Sequence, residues 1–384
     1  SGQDTDIRRL CRTGNGRIDK MRKHWIDNLR WVTVLLVLLY HVIYFYNSKG
    51  VVGGIGGFGE GPQYQDIVMD ILYPWFMPLL FILAGISSRY ALETRSGKEW
   101  FRERTRKLLV PSTIGLLFFG VFIGWINSMT SPAAETIESL PFGVKYMIWA
   151  LSGTGPLWFV QDLWLLSLIL LIVRKMDARG RFMAFCGRAG IIAVILMGVL
   201  VWLGHRTLVM EPDPASAEGL WNLYKPVYYM IPFLMGYFVF SHENVQETVG
   251  RSWIPLMVCA GVAGIALVVT GFGLDNTHPT YLCTPLNNIY GWLMCLAMMG
   301  LFKARFDRTG RFAGYMTRSS YGIYIVHYLI IAVVGYTLKV RTDMPPVFIY
   351  LTLAAAVFTL SPLLYEILKR IPFLRWCILG EKRH

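Results

Sequence analysis

Long apolar runs alternate with short polar, often charged segments along the whole chain. An α-helix needs about 20 apolar residues to cross roughly 30 Å of hydrocarbon. Ten runs of that kind lie near residues 28–46, 67–90, 108–129, 156–173, 187–204, 226–240, 253–273, 285–302, 319–338 and 346–368. The pattern predicts an all-α fold, a polytopic transmembrane helical bundle of about ten spans. An eleventh apolar stretch, 142–151, is too short to span and reads as an interfacial or re-entrant piece. The polar stretches 50–61, 130–141 and 211–219 are too short to form domains, so an active site is expected mostly inside the bundle. The chain divides into a basic cytoplasmic N-terminal segment (1–26), the bundle (27–370) and a cytoplasmic C-terminal tail (371–384).

Composition agrees with the pattern. Residues are 54% hydrophobic, 14% aromatic and 16% charged, whereas a soluble domain carries about 25% charged residues. A disordered chain, a collagen-like repeat and a disulfide-stapled secreted domain are excluded by the same figures. The net charge of +13 suggests nucleic acid until its positions are inspected. With a cytoplasmic N-terminus, 31 of the 37 Lys and Arg fall on the cytoplasmic side. Lys49, Lys145, Arg206, Lys225, Lys339 and Arg341 fall on the other. This is the positive-inside pattern; it places both termini in the cytoplasm and removes the need for nucleic acid. Residues 1–25 are polar and basic, so no signal peptide is expected before the first span.

Ionisable groups inside spans are costly and are candidates for function by default. His41 follows Arg30 by eleven residues. Eleven steps of about 100° leave the two roughly 20° apart on one helix face and about 16 Å apart along its axis. Asp27, three residues before Arg30, can pair with it. His327 lies about 13 Å inward from Arg318 in the ninth span, a depth comparable with that of His41. Two imidazoles at one depth can line one cavity, and an apolar surround leaves a neutral imidazole able to accept a proton. The plainer readings are a hydrogen bond to a neighbouring helix for each His and a headgroup anchor for Arg30. Asp162 stands between a structural and a functional reading, and Asp70 is a further acid in the second span. Glu366, beside Lys369 and Arg370, reads as a helix-end ion pair. Trp158, near an outer helix end, reads as an aromatic-belt anchor or a sugar-stacking platform. Arg104, Arg106 and Lys107 at the mouth of the third span form either a lipid-attracted basic cluster or a phosphate clamp.

Several of these residues together resemble the acyltransferase-3 family of integral membrane acyltransferases. The likeness rests on Arg30 and His41 with ten residues between them, on Leu80-Phe81-Ile82-Leu83-Ala84-Gly85 with Ala84 in place of a usual Ser, and on Arg104-Thr105-Arg106-Lys107 ahead of Pro111. Leu157-Trp158-Phe159 and the Tyr321-Gly322-Ile323-Tyr324-x-x-His327 pattern complete it. The ends of the chain, Asp27-Asn28-Leu29-Arg30 and residues 364–372, are similar to the branch that includes a periplasmic-glucan succinyl-transfer protein. Lys107 stands where a second Arg is usual, and an ammonium cannot make the planar two-pronged phosphate contact of a guanidinium; Arg106 can substitute.

The resemblance implies an acyl-CoA-dependent O-acyltransferase in the inner membrane of a bacterium. Its donor would be cytoplasmic acyl-CoA, acetyl-CoA being the commoner in the family and succinyl-CoA the alternative. Its acceptor would be a hydroxyl of an extracytoplasmic glycan or lipid-linked sugar. The catalytic candidates are then His41 as general base, Arg30 or Tyr324 as stabiliser of charge on the thioester oxygen, and His327 in support. Arg104, Arg106 and Lys107 would hold the donor, and Asp27, Trp158, Asp162, Ser320 and Tyr324 are substrate-site candidates. No His, Cys and carboxylate cluster has metal-ligand spacing, so no metal is expected. The competing class is a proton- or solute-coupled transporter or glycan exporter, which would leave acyl-CoA unconsumed.

Overall fold

A computed structural model describes residues 23–49, 54–129, 134–209, 225–275 and 278–381. Among these the regular structure is helical, as a chain in hydrocarbon must satisfy its backbone groups internally. The principal helices are α1 (His24–Phe45), α2 (Ile67–Thr94), α3 (Gly97–Met129), α4 (Phe142–Ser152), α5 (Trp158–Met176), α6 (Ile191–Leu208), α7 (Pro226–Phe238), α8 (Glu243–Arg251), α9 (Trp253–Gly271), α10 (Pro285–Arg305), α11 (Arg311–Arg341), α12 (Pro346–Arg370) and α13 (Pro372–Leu379). The polar stretch 211–219 and most of the N-terminal segment lie outside the described residues.

Among the described residues, eight helices are long and apolar enough to cross a membrane, and each matches one of the ten predicted runs. The other two runs are helical as well but differ in kind. The run at 226–240 is α7, 13 residues long and so about 20 Å. It is wedged against α2, where Gly85 and Gly236 bring backbone to backbone: a Cβ on either would lie 2.1 Å from a carbonyl oxygen of the partner helix. Small residues permit such close packing in membrane bundles. The run at 285–302 is α10, 21 residues long, whose buried Asn288 amide donates to the Leu282 and Thr284 carbonyls.

Contacts sort the helix ends into the two sets that the charge count separates. At one end, here the near end, Trp25 N–H donates to Asp307, Asn28 to the Phe306 and Arg308 carbonyls, and Arg106 to the Gly380 carbonyl. Lys23 and Lys303 both pair with Glu243 there. At the far end Ser48 donates to Asp66, Lys49 pairs with Asp70, and Lys339 donates to the Ile55, Gly56 and Gly57 carbonyls. The start of α1 and the end of α13 therefore share one end of the bundle.

Two irregularities shape the interior. Through Thr105–Leu109 and Pro111–Gly120, α3 is wound in wider π-type turns, an irregularity that recurs at functional sites. The second is the apolar stretch at 142–151. It is helix α4, which re-enters beside α3: a Cβ on Gly153 would meet the Gly120 carbonyl at 1.9 Å, and one on Gly124 the Trp149 carbonyl at 1.8 Å. The chain then breaks at Gly155, whose φ of +43° favours glycine, and resumes as α5. This break lies inside the bundle, with Gly155 against the Tyr328 ring and the Pro156 carbonyl accepting the Tyr324 hydroxyl.

Candidate active site

Helix α1 is unbroken from His24 to Phe45, so Asp27, Arg30 and His41 do share a face. The Asp27–Arg30 pair expected from the spacing is present at 3.0 Å; the spacing along α1 alone could not give the partner of His41.

His41 meets His327 of α11, with Nδ1 of His41 3.2 Å from Nε2 of His327 and ring centroids 5.1 Å apart. Each ring also turns Nδ1 toward a backbone carbonyl of its own helix, His41 toward Val37 at 2.9 Å and His327 toward Tyr324 at 2.5 Å. A carbonyl only accepts, so each Nδ1 carries a proton. His327 Nε2 then accepts from His41 Nδ1, and a second proton between the rings would set donor against donor. In a neutral imidazole with Nδ1 protonated, Nε2 of His41 is left bare. His327 is fully buried, whereas His41 keeps part of its surface accessible although protein packs around it. Tyr44 lies 5.8 Å and Tyr328 5.3 Å from the His41 ring.

Arg30 serves the near end. Its guanidinium donates to Asp27 at 3.0 Å and to Ser87 Oγ of α2 at 2.6 Å. Arg104 donates to the adjacent Ser88 at 3.0 Å, lies over the Trp100 ring, and is close enough to Arg30 for the two charges to repel. Arg30 and Arg104 thus converge, each held by one of two neighbouring hydroxyls and keeping part of its surface accessible. Arg106 Nε donates to the Gly380 carbonyl, and Lys107 pairs with Glu103 at 2.7 Å on a half-exposed surface. Eleven residues of continuous helix, about 16 Å, separate Arg30 from His41. The Tyr324 hydroxyl donates to the Pro156 carbonyl. Between the two sites α1 turns buried Val34 and Val37 to this face. The antiparallel register set by the Arg30 contact with Ser87 and the Tyr40 contact with Phe76 brings Leu80 and Ala84 of α2 opposite them.

The other candidates fall on separate walls. Trp158 is not an interfacial anchor. The break at Gly155 places it inside the bundle, half-buried, with its ring 5.3 Å from Tyr229 and 6.5 Å from Phe81. Asp162, one turn further along α5, is buried, and its Oδ2 has no hydrogen-bond partner among the described residues. Ser320 is buried on α11 two turns before His327. Glu366 pairs with Lys369 at 3.9 Å. Asp70 forms an ion pair with Lys49 in which both side chains are buried. Among the described residues no group of three His, Cys, Asp or Glu side chains is placed to hold a metal ion.

The sequence pattern of one protein family, described as an acyltransferase domain, matches residues 23–366. The chain belongs to the acyltransferase-3 family. The match takes in α1 and both imidazoles, the basic mouth and nearly all of α12. Comparison with curated proteins and with solved structures yields no match. The protein is thus a multi-pass membrane acyltransferase. In this acyltransferase the sequence reading missed Ser87 and Ser88, which orient the two guanidiniums, and Tyr44 and Tyr328, which flank His41. A pair of serines in the otherwise apolar second run was the available signal for the first two. The tyrosines carry none in a chain with twenty of them.

Proposed function

We propose that this acyltransferase moves an acyl group from acyl-CoA, bound at the near end, to a hydroxyl of a glycan or lipid-linked sugar entering from the far end. His41 acts as general base. The single observation that carries the reading is the orientation of the imidazole pair, which leaves His41 Nε2 bare and its ring partly accessible. As the acceptor oxygen bonds to the thioester carbon, its proton passes to Nε2. The C–S bond then breaks and the proton passes to the departing thiolate. His327 positions His41 and spreads the positive charge that develops on it. The same geometry suits a general base better than a covalent acyl carrier, because acylating Nε2 would occupy the atom the proton needs.

Arg30 and Arg104 hold the donor. A nucleotide carrying several phosphates is recognised by convergent guanidiniums. The extended pantetheine arm of CoA is comparable in length with the stretch of α1, through buried Val34 and Val37, that separates Arg30 from His41. Acetyl is the first donor to test and succinyl the second. The distribution of Lys and Arg supports a near end in the cytoplasm, and on this reading the protein sits in the inner membrane of a bacterium. The test is release of CoA thiol by protein in nanodiscs supplied with acetyl-CoA or succinyl-CoA and a crude glycan fraction. Release that disappears in His41→Gln is the expected result. Binding of either thioester without consumption would point to a transporter.

A further inference from the structure

Lys225 bears three unfavourable features at once. Its side chain is nine-tenths buried, with 7% of its surface exposed. It is the residue with positive φ, +48°, among the described non-glycine residues. It also stands at the N-cap of α7, where the partial positive charge of the helix end repels an ammonium. No carboxylate among the described residues pairs with it, and the polar contact of its Nζ is the Tyr73 hydroxyl at 3.4 Å. The ammonium also lies 5.8 Å from the Tyr73 ring centroid. It is too buried to reach lipid headgroups, and His205, the other buried base close enough to feel its charge, is held by Asn288 and stacked on Tyr228. A buried charge normally has a partner.

Its place in the bundle says where that partner would come from. The Tyr73 ring stacks 5.9 Å from Tyr40, and the Tyr40 ring lies 5.3 Å from His41. Lys225 therefore stands on the far side of His41, one layer of tyrosines beyond it and away from Arg30 and Arg104. Asp275 acts electrostatically on Tyr40 and Tyr44 in the same region and forms no ion pair with Lys225. We infer that Lys225, with Tyr73, is a specificity-determining residue that binds an anionic oxygen group, carboxylate or phosphate, on the substrate at the far side of the reacting atoms. The inference rests on the proposed direction of transfer. Two substrates can bring such a group there: the outward-pointing end of a dicarboxylic acyl chain, or an acidic substituent on the acceptor.

The experiment measures binding rather than turnover, so it stands apart from the fate of the general-base assignment. Full-length protein carrying His41→Gln, in nanodiscs, is titrated with two matched pairs of probes: succinyl-CoA against acetyl-CoA, and the anionic against the neutral pool of a glycan fraction separated by anion exchange. The His41→Gln protein is expected to favour the anionic member of one pair by tenfold or more. Adding Lys225→Met should abolish that preference and leave the other pair unchanged, while Lys225→Arg should retain it. Preference in the thioester pair assigns the anion to the acyl group, and preference in the glycan pair assigns it to the acceptor. Thermal unfolding supplies the folding control: Lys225→Met, which removes a buried charge at constant length, is expected to unfold no earlier than its parent. No anionic preference in either pair, or a preference that survives Lys225→Met, overturns the proposal. Earlier unfolding of Lys225→Met with equal losses for all four probes does so as well, since that marks a structural lysine.

Discussion

The imidazole pair and the basic mouth share one face of α1 but are built by opposite means. The pair is fixed by helix backbone: two carbonyls set the tautomers, and His327 is fully buried. The mouth consists of long side chains, partly accessible, held by hydroxyls and carboxylates that can release them. Proton transfer needs one atom in one place. Holding a flexible polyanion needs several charges that can adjust. The comparison therefore separates rate from affinity along a single helix.

That separation can be broken in order of expected effect. His41→Gln should lower acyl transfer by about 10²- to 10⁴-fold, the usual contribution of a general base, with the KM for acyl-CoA little changed; a rate within threefold of wild type would remove His41 from the chemistry. His327→Gln should lower kcat by roughly 10- to 100-fold, the equivalent of one hydrogen bond to a charged group. It should also displace the pH–rate profile while KM holds, as a purely structural loss would not. Arg30→Ala should act in the opposite way, raising the KM for acyl-CoA about tenfold and flattening its dependence on salt. Lys107→Ala should change KM less than about threefold, because an exposed ion pair such as that with Glu103 is worth little. Equal effects at Arg30 and Lys107 would mean that the donor lies further toward the surface.

The smallest effect concerns the clasp beside the mouth. Burial alone would raise the Glu243 carboxyl, but hydrogen bonds and charge from Lys23 and Lys303 outweigh it and hold the group below the usual carboxylate range. A folded value below the unfolded one contributes stability above the unfolded value, and that contribution is lost as pH falls through the folded one. Glu243→Gln should therefore melt slightly earlier than wild type at neutral pH and coincide with it in acid. A difference that persists in acid would assign the clasp to packing.

How much was legible beforehand follows the same division. Spans, sidedness and the shared face of Arg30 and His41 follow from periodicity and charge, which act along one helix. The matched depths of His41 and His327 hinted at their meeting, but the carbonyls that orient them belong to backbone no pattern of side chains reports. The position of Trp158 misled because an apolar run conceals a break at Gly155, so that a residue expected at an interface lies in the interior. The helix α7 read as a span because packing against Gly85 makes the same demand for apolar, small residues as lipid does. Lys225 counted only as one far-side cation until its burial set it apart from the others.

The central claim is that His41 holds a bare Nε2 because its Nδ1 proton is committed to Val37 and His327. Nitrogen-15 NMR of histidine-labelled protein in nanodiscs, with the His41 signals assigned by their loss in His41→Gln, reads this directly. The account predicts a protonated, hydrogen-bonded Nδ1 and an unprotonated Nε2 on His41 at neutral pH. A proton on Nε2 of His41, or an imidazolium at that position, would contradict it.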